Sequence, residues 1–241
     1  MAAAQESRPA DDHDEAGDRD EPTALSAIRL PAVAELHRHG GSGNDGASDH
    51  PVDRSANQTP AIDRHGAEQA IRDLLVALGR DVREPGLRET PRRVAAAYAE
   101  LLTHGPVSMT TFPNDAGYDE LVVVRDIPFH SLCMHHLLPF QGVAHVAYLP
   151  DRRIVGLSKL ARVVDLFARE LQLQERLTMQ VANCIQEHLA PKGVGVMIEA
   201  EHLCMSLRGV QKAGSRTTTS ALLGSLRDDP RTRNEFLSLV R

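Results

Sequence analysis

The chain has 241 residues, 41% of them hydrophobic and only 3% aromatic, with a formal net charge of −6 at pH 7. That length allows one large domain or two small ones, and with Trp absent the core must come from Leu, Val, Ile and Ala. The acidic balance argues against a nucleic-acid binder, so an anionic ligand would need a local basic pocket. Three cysteines, Cys133, Cys184 and Cys204, make a poor disulfide framework and fit a reducing compartment. The N-terminus is acid-rich and lacks an apolar core, and no apolar run reaches spanning length. The expectation is a cytoplasmic protein with no membrane partner.

Residues 1–60 are rich in Asp, Glu, Gly, Ser, Pro and His, and read as a disordered acidic tail with at most a transient helix over 24–36. Residues 61–241 read as the folded domain, with a helical segment over 67–104 and sheet and helices over 118–241. Ile71, Leu74, Leu75 and Leu78 recur at helical spacing, and Gly79 stops that helix. Thr90-Pro91 is an N-cap followed by proline, and Val94, Tyr98, Leu101 and Leu102 then share a face as far as Gly105-Pro106. Leu121–Val124 leads into Ile127 as a strand, Val143–Leu149 is a second and Ile154-Val155 a short third. After Gly156, with Ser158 as N-cap, a helix buries Leu160, Val163, Val164 and Phe167. A helix over Glu175–Leu189 follows, then a long strand over Val194–Met205 and a short helix over Arg233–Val240. The order predicts an α+β fold, an antiparallel sheet with helices packed on one face.

Two segments carry metal-binding residue types: Ser131-Leu-Cys-Met-His-His136 and Glu201-His-Leu-Cys-Met205. In a strand, residues two apart share a face, so His202 and Cys204 would project together. A turn at Cys133–His136 can aim both of its side chains at one point. Thiolate and imidazole are preferred zinc ligands, and three of them leave a position open for catalysis. Cys133, His136 and Cys204 are the candidate ligands. His135 and His202 are then free for proton transfer, unless one of them completes a four-ligand structural site. Cys184 reads as core.

Gly156-Leu-Ser-Lys-Leu-Ala-Arg162 sets a turn before a helix N-terminus, where backbone N–H groups favour an anion. Lys159, Arg162 and, just past Cys204, Arg208 would add charge. Glu175, beside Gln174, is either a carboxylate complementing a helix dipole or an acceptor for a guanine edge, and pattern leaves both open.

At this point the residues resemble the GTP cyclohydrolase I family. The matching strings run in order from about residue 67: Glu89-Thr-Pro-Arg-Arg-Val94, Ser131–His136 with Pro139-Phe140, Gly156–Arg162, Gln174-Glu-Arg-Leu-Thr178, His202-Leu-Cys204 with Arg208-Gly-Val210, and Thr217-Thr-Thr-Ser220. The resemblance implies a tunnelling-type α+β fold, assembled as a toroidal homodecamer with active sites between subunits. It implies Zn2+ on Cys133, His136 and Cys204, and GTP as substrate, with Glu175 and nearby Gln174 on the guanine. Arg93, Ser158, Lys159, Arg162 and Arg208 would meet the phosphates, with Ser158 counted among the catalytic groups beside His135 and His202. The implied reaction opens the imidazole ring of GTP with water, releases formate and recloses through the ribose to 7,8-dihydroneopterin triphosphate. Two positions depart from the family pattern: Met134 stands where Glu is usual, and Ala96 where Lys is frequent. Met134 keeps open a catalytically weak zinc-stabilised nucleotide-binding ring, and a paralogous enzyme of a secondary pathway would share the first step.

Overall fold

The structure is a computed structural model that describes residues 46–52 and 61–241. Most of the expected acidic tail, and the helix expected over 24–36, lie outside the described residues. The described part of the tail departs from the expectation of disorder. Ser48–Pro51 form strand β1, antiparallel to β2 (Ser108–Pro113), with Asp49 opposite Thr110. Side chains fix the pairing: Arg153 donates to Ser48 Oγ at 2.7 Å and to Thr111 Oγ1 at 2.8 Å. Composition alone hides this strand, because its stability comes from a partner strand some sixty residues away.

Two helices follow β1. Helix α1 (Arg64–Ala77) is capped by Asp63, whose carboxylate accepts from the Gly66 N–H. Helix α2 (Thr90–Leu101) has Glu89 at its N-cap, one residue before the expected Thr90, and Pro91 in its first turn.

The main sheet has five strands: β3 (Val122–Cys133), β4 (Pro139–Leu149), β6 (Leu171–Gln172), β7 (Gly193–His202) and β8 (Thr217–Gly224). Their order is β6-β3-β4-β7-β8, antiparallel apart from the short parallel β3–β6 pair. A bulge sets Arg125 and Asp126 of β3 against His145 of β4, and Asp126 takes φ +55° there. The small strand β5 (Arg153–Val155) pairs with the other edge of β2.

One face of the main sheet, with Ala144, Val146 and Tyr148 of β4 and Val194, Val196 and Ile198 of β7, packs on α3 (Leu157–Ala168) and α4 (Gln174–Leu189). The apolar stripe read from α3 is buried as expected, at about 1.5–3 kcal/mol for each large side chain. The expectation of helices on one face holds for α3 and α4 only. Leu226 of α6 (Ser225–Asp228) and Phe236 of α7 (Pro230–Leu239) cover Ala147, Leu149 and Met197 on the opposite face. Helix α7 begins at Pro230, three residues before the expected Arg233, with Asp229 as its cap. The cause lies in β7, where Val194–Met197 is apolar at both parities, as in a strand buried on two sides. Gly195 makes the approach possible, since a Cβ there would sit 2.6 Å from Leu226 Cδ2.

Candidate metal centre

Two chain reversals build the site. Strand β3 ends at Cys133, and the Cys133 carbonyl accepts from the His136 and Leu137 N–H groups, at 3.3 and 2.8 Å. The Cys133 N–H donates to the Leu138 carbonyl at 2.9 Å, which closes the turn into β4. Leu137 takes φ +55° to permit this. Helix α2 holds the turn from outside, where Tyr98 Oη donates to the Leu137 carbonyl at 3.0 Å.

The second reversal corrects the expected strand over Val194–Met205. Strand β7 stops at His202, and Leu203–Ser206 form a helical turn, α5. His202 and Cys204 therefore do not project together as strand neighbours. The turn instead swings Cys204 to Cys133, with the sulfurs 4.0 Å apart, while His202 points elsewhere.

The donor atoms of Cys133, His136 and Cys204 all lie within 4.8 Å of one another. Cys133 Sγ is 3.7 Å from His136 Nδ1. A tetrahedral zinc ion would place sulfur about 3.8 Å from sulfur and about 3.5 Å from nitrogen, given its usual bond lengths. The donor set and its spacing thus fit a divalent metal with one position left open. Burial, then the neighbouring Cys133 sulfur, push the Cys204 thiol above its ordinary pKa, with Arg208 acting weakly the other way. His135 Nδ1 stands 4.0 Å from Cys133 Sγ, outside the cluster of three mutually close donors.

His202 lies beside the cluster with its ring stacked on Phe140, centroids 4.6 Å apart and planes 3° from parallel. Its Nε2 sits 2.8 Å from Gln174 Oε1. Burial holds the imidazole below its ordinary pKa, and nearby Glu175 works against that. His202 is therefore neutral near pH 7 and able to accept a proton. Gln174 is 2% exposed, and its amide is already occupied by protein groups. The adjacent Glu175 is exposed at the start of α4.

The basic residues are more dispersed. Lys159 Nζ donates to Ser108 Oγ at 3.2 Å. The Asp49 carboxylate of β1 is held low by hydrogen bonds from Ser108 and Thr110 and by the charge of Lys159. Arg162 lines a cavity of about 430 Å³ with His104, Asp165 and Arg169. Ser158 lies in the first turn of α3, but Gly156 occupies the N-cap position expected for it. Arg93 lies on the exposed side of α2. Among the described residues, no hydrogen bond or ion pair joins Arg93, Lys159 or Arg162 to the cysteine–histidine cluster. Sequence reasoning also missed the threonines of β8 under His202, although their string was visible, because β8 itself went unread.

Fold and site together define a mixed α/β domain whose main sheet, at one end, carries a three-donor Cys–His–Cys group that could hold a metal, with His135 and His202 near it in sequence. The family model described as GTP cyclohydrolase I matches residues 67–241. A protein named GTP cyclohydrolase 1 from Streptomyces avermitilis is 55% identical over 184 residues, 74% of this chain and 91% of that one. Proteins of the same name from Synechococcus and Aquifex aeolicus are 53% and 52% identical, over 71% and 75% of this chain and 77% and 98% of theirs. The chain belongs to the GTP cyclohydrolase I family and is an enzyme of that family.

Proposed function

We propose that this chain is a zinc-dependent enzyme that hydrolyses GTP to 7,8-dihydroneopterin triphosphate and formate, the entry to pterin and folate biosynthesis in the cytoplasm. The observation that carries the reading is the three-donor cluster of Cys133, His136 and Cys204 beside an imidazole kept neutral by burial. When bound, the metal supplies Lewis acidity and makes water a stronger acid.

The side chains do the rest. His202, neutral at rest, takes and returns protons at the guanine ring, and His135 serves the same site from the turn. Ser158 acts beside them near the start of α3. Glu175, exposed beside His202, accepts the two N–H groups of the guanine edge. Arg93, Lys159, Arg162 and Arg208 bind the triphosphate, far from the bonds that break, so their binding energy goes into orientation. Gln174 belongs to the same pocket, hydrogen-bonded to His202.

The separation of Arg93, Lys159 and Arg162 from the cluster supports an assembly in which neighbouring chains complete each site, a tunnelling-type fold closed into a toroidal decamer. Two further features favour it. The outer edge of β8 has no partner among the described residues, and β3 pairs with β6 only at Leu132 and Cys133. Met134, Leu137, Met205, Leu207 and Val210 lie exposed around the cluster, as apolar groups do where another surface docks. No helix among the described residues is long and apolar enough to cross a membrane.

The test is to incubate the purified, zinc-loaded protein with GTP and measure formate. Formate together with a fluorescent pterin after oxidation is the expected result. Absence of formate from zinc-loaded protein that still binds GTP would refute the proposal.

A further inference from the structure

Gln174 sits under His202 in a network of buried hydrogen bonds whose directions follow from chemistry alone. Its Nε2 lies 3.1 Å from the Ile198 carbonyl, 2.9 Å from the Thr217 carbonyl and 3.2 Å from Thr219 Oγ1. Carbonyl oxygens only accept, so the end of the amide facing them must be its NH2.

The threonines agree. Thr178 Oγ1 donates to the Gln174 main-chain carbonyl at 2.7 Å and so spends its single hydrogen there. Thr178 and Thr219 hydroxyls are 2.7 Å apart, so Thr219 must donate to Thr178. Thr219 then has only lone pairs to offer Gln174. A flipped amide would set its oxygen against three acceptors in a buried space, which is costly.

The consequence passes to the histidine. With its NH2 committed below, Gln174 presents Oε1 to His202 Nε2 at 2.8 Å. Oxygen there accepts, so His202 Nε2 must carry the proton. The free lone pair of the neutral ring is then on Nδ1. Phe140, stacked 3° from parallel, fixes the ring plane about that bond.

We infer that Gln174 is a positioning residue that sets the tautomer and orientation of His202, leaving Nδ1 as the atom that exchanges protons with substrate, rather than a residue that reads the guanine base. Its role in turnover rests on the proposed cyclohydrolase reaction; the tautomer does not.

The experiment has two arms. Solid-state NMR on zinc-loaded protein with 15N-labelled histidine, His202 being assigned by subtraction of the His202→Asn spectrum, reads the tautomer directly. The expected result is protonated Nε2 and unprotonated Nδ1 in the neutral ring. The opposite tautomer in the unmutated protein overturns the inference, whether or not GTP is turned over. The second arm is kinetic. Gln174→Met keeps the bulk and removes both ends of the amide. It should lower kcat about tenfold or more while KM for GTP stays within about twofold, and the His202 signal should become a mixture of tautomers. A raised KM with kcat and tautomer unchanged would return Gln174 to base reading. If Gln174→Met does not fold, Thr219→Val serves instead. It removes one of three acceptors, and the Nε2-protonated tautomer should persist because the two carbonyls still orient the amide.

Discussion

Three side chains from two reversals meet at one point, and their protonation decides what they hold. Cys204 is pushed up by burial and by Cys133, so without a metal it keeps its proton at neutral pH. A metal ion must displace thiol protons to bind, so loading should acidify a weakly buffered solution and weaken as pH falls. Cys204→Ala should reduce bound zinc from one ion per chain to a trace, measured by elemental analysis, because two donors remain where three stood. Cys184 is the control. Burial on α4 raises its thiol to about 12 from the ordinary 9.0. A folded-state pKa raised in this way contributes stability that is complete below about pH 9 and is lost as pH rises towards 12. At pH 9, Cys184 should resist a thiol reagent until the chain unfolds, and labelling in native protein would contradict that burial.

At the scale of elements, the site depends on where strands stop. Had β7 run through Met205 as its apolar pattern suggests, parity would carry Cys204 to the same side as His202. The helical turn of α5 separates them, one to Cys133 and one to Gln174. The β4–β7 pairing that aligns both reversals tolerates little. A Cβ on Gly142 would lie 1.9 Å from the Glu199 carbonyl oxygen, which is backbone and cannot move aside. Gly142→Ala should destabilise by about 1–3 kcal/mol or more through overpacking. That corresponds to a fall of roughly 2–12 °C in Tm for a chain of this size, readable by calorimetry. A Tm equal to the parent's would mean that the strands part freely there. Gly105, which has no positive φ and where a Cβ meets nothing within 4 Å, makes a fair comparison.

For the whole molecule, the decisive question is whether one chain holds a complete site. The cluster and His202 are together, while Lys159 and Arg162 engage Ser108 and a separate cavity. If neighbouring chains supply the phosphate-binding cations, two inactive variants should complement. Mixed oligomers of His202→Ala and Lys159→Ala, refolded together, would contain some sites with both residues intact. Up to about a quarter of parental activity should return for random mixing of equal amounts. Recovery no greater than the sum of the separate variants would place the full site within one chain.

The linear chain determined the chemistry. Residue types at Cys133, His136 and Cys204, the apolar stripes of α3 and α4, and the ordered family strings are local properties, because side-chain identity and 3.6-residue periodicity need no partner to be legible. The tertiary structure decided what depends on partners distant along the chain. Strand β1 exists through β2 and Arg153. Strand β8, rich in threonine, is a strand because β7 lies beside it. Helix α7 covers the second sheet face because Gly195 admits Leu226. Gln174 is the sharpest case: position 174 reads as a pocket residue in the sequence, but the carbonyls of Ile198 and Thr217 orient its amide toward His202. Hydrogen-bond direction is a property of the assembled network, set by acceptors that only folding brings to one place.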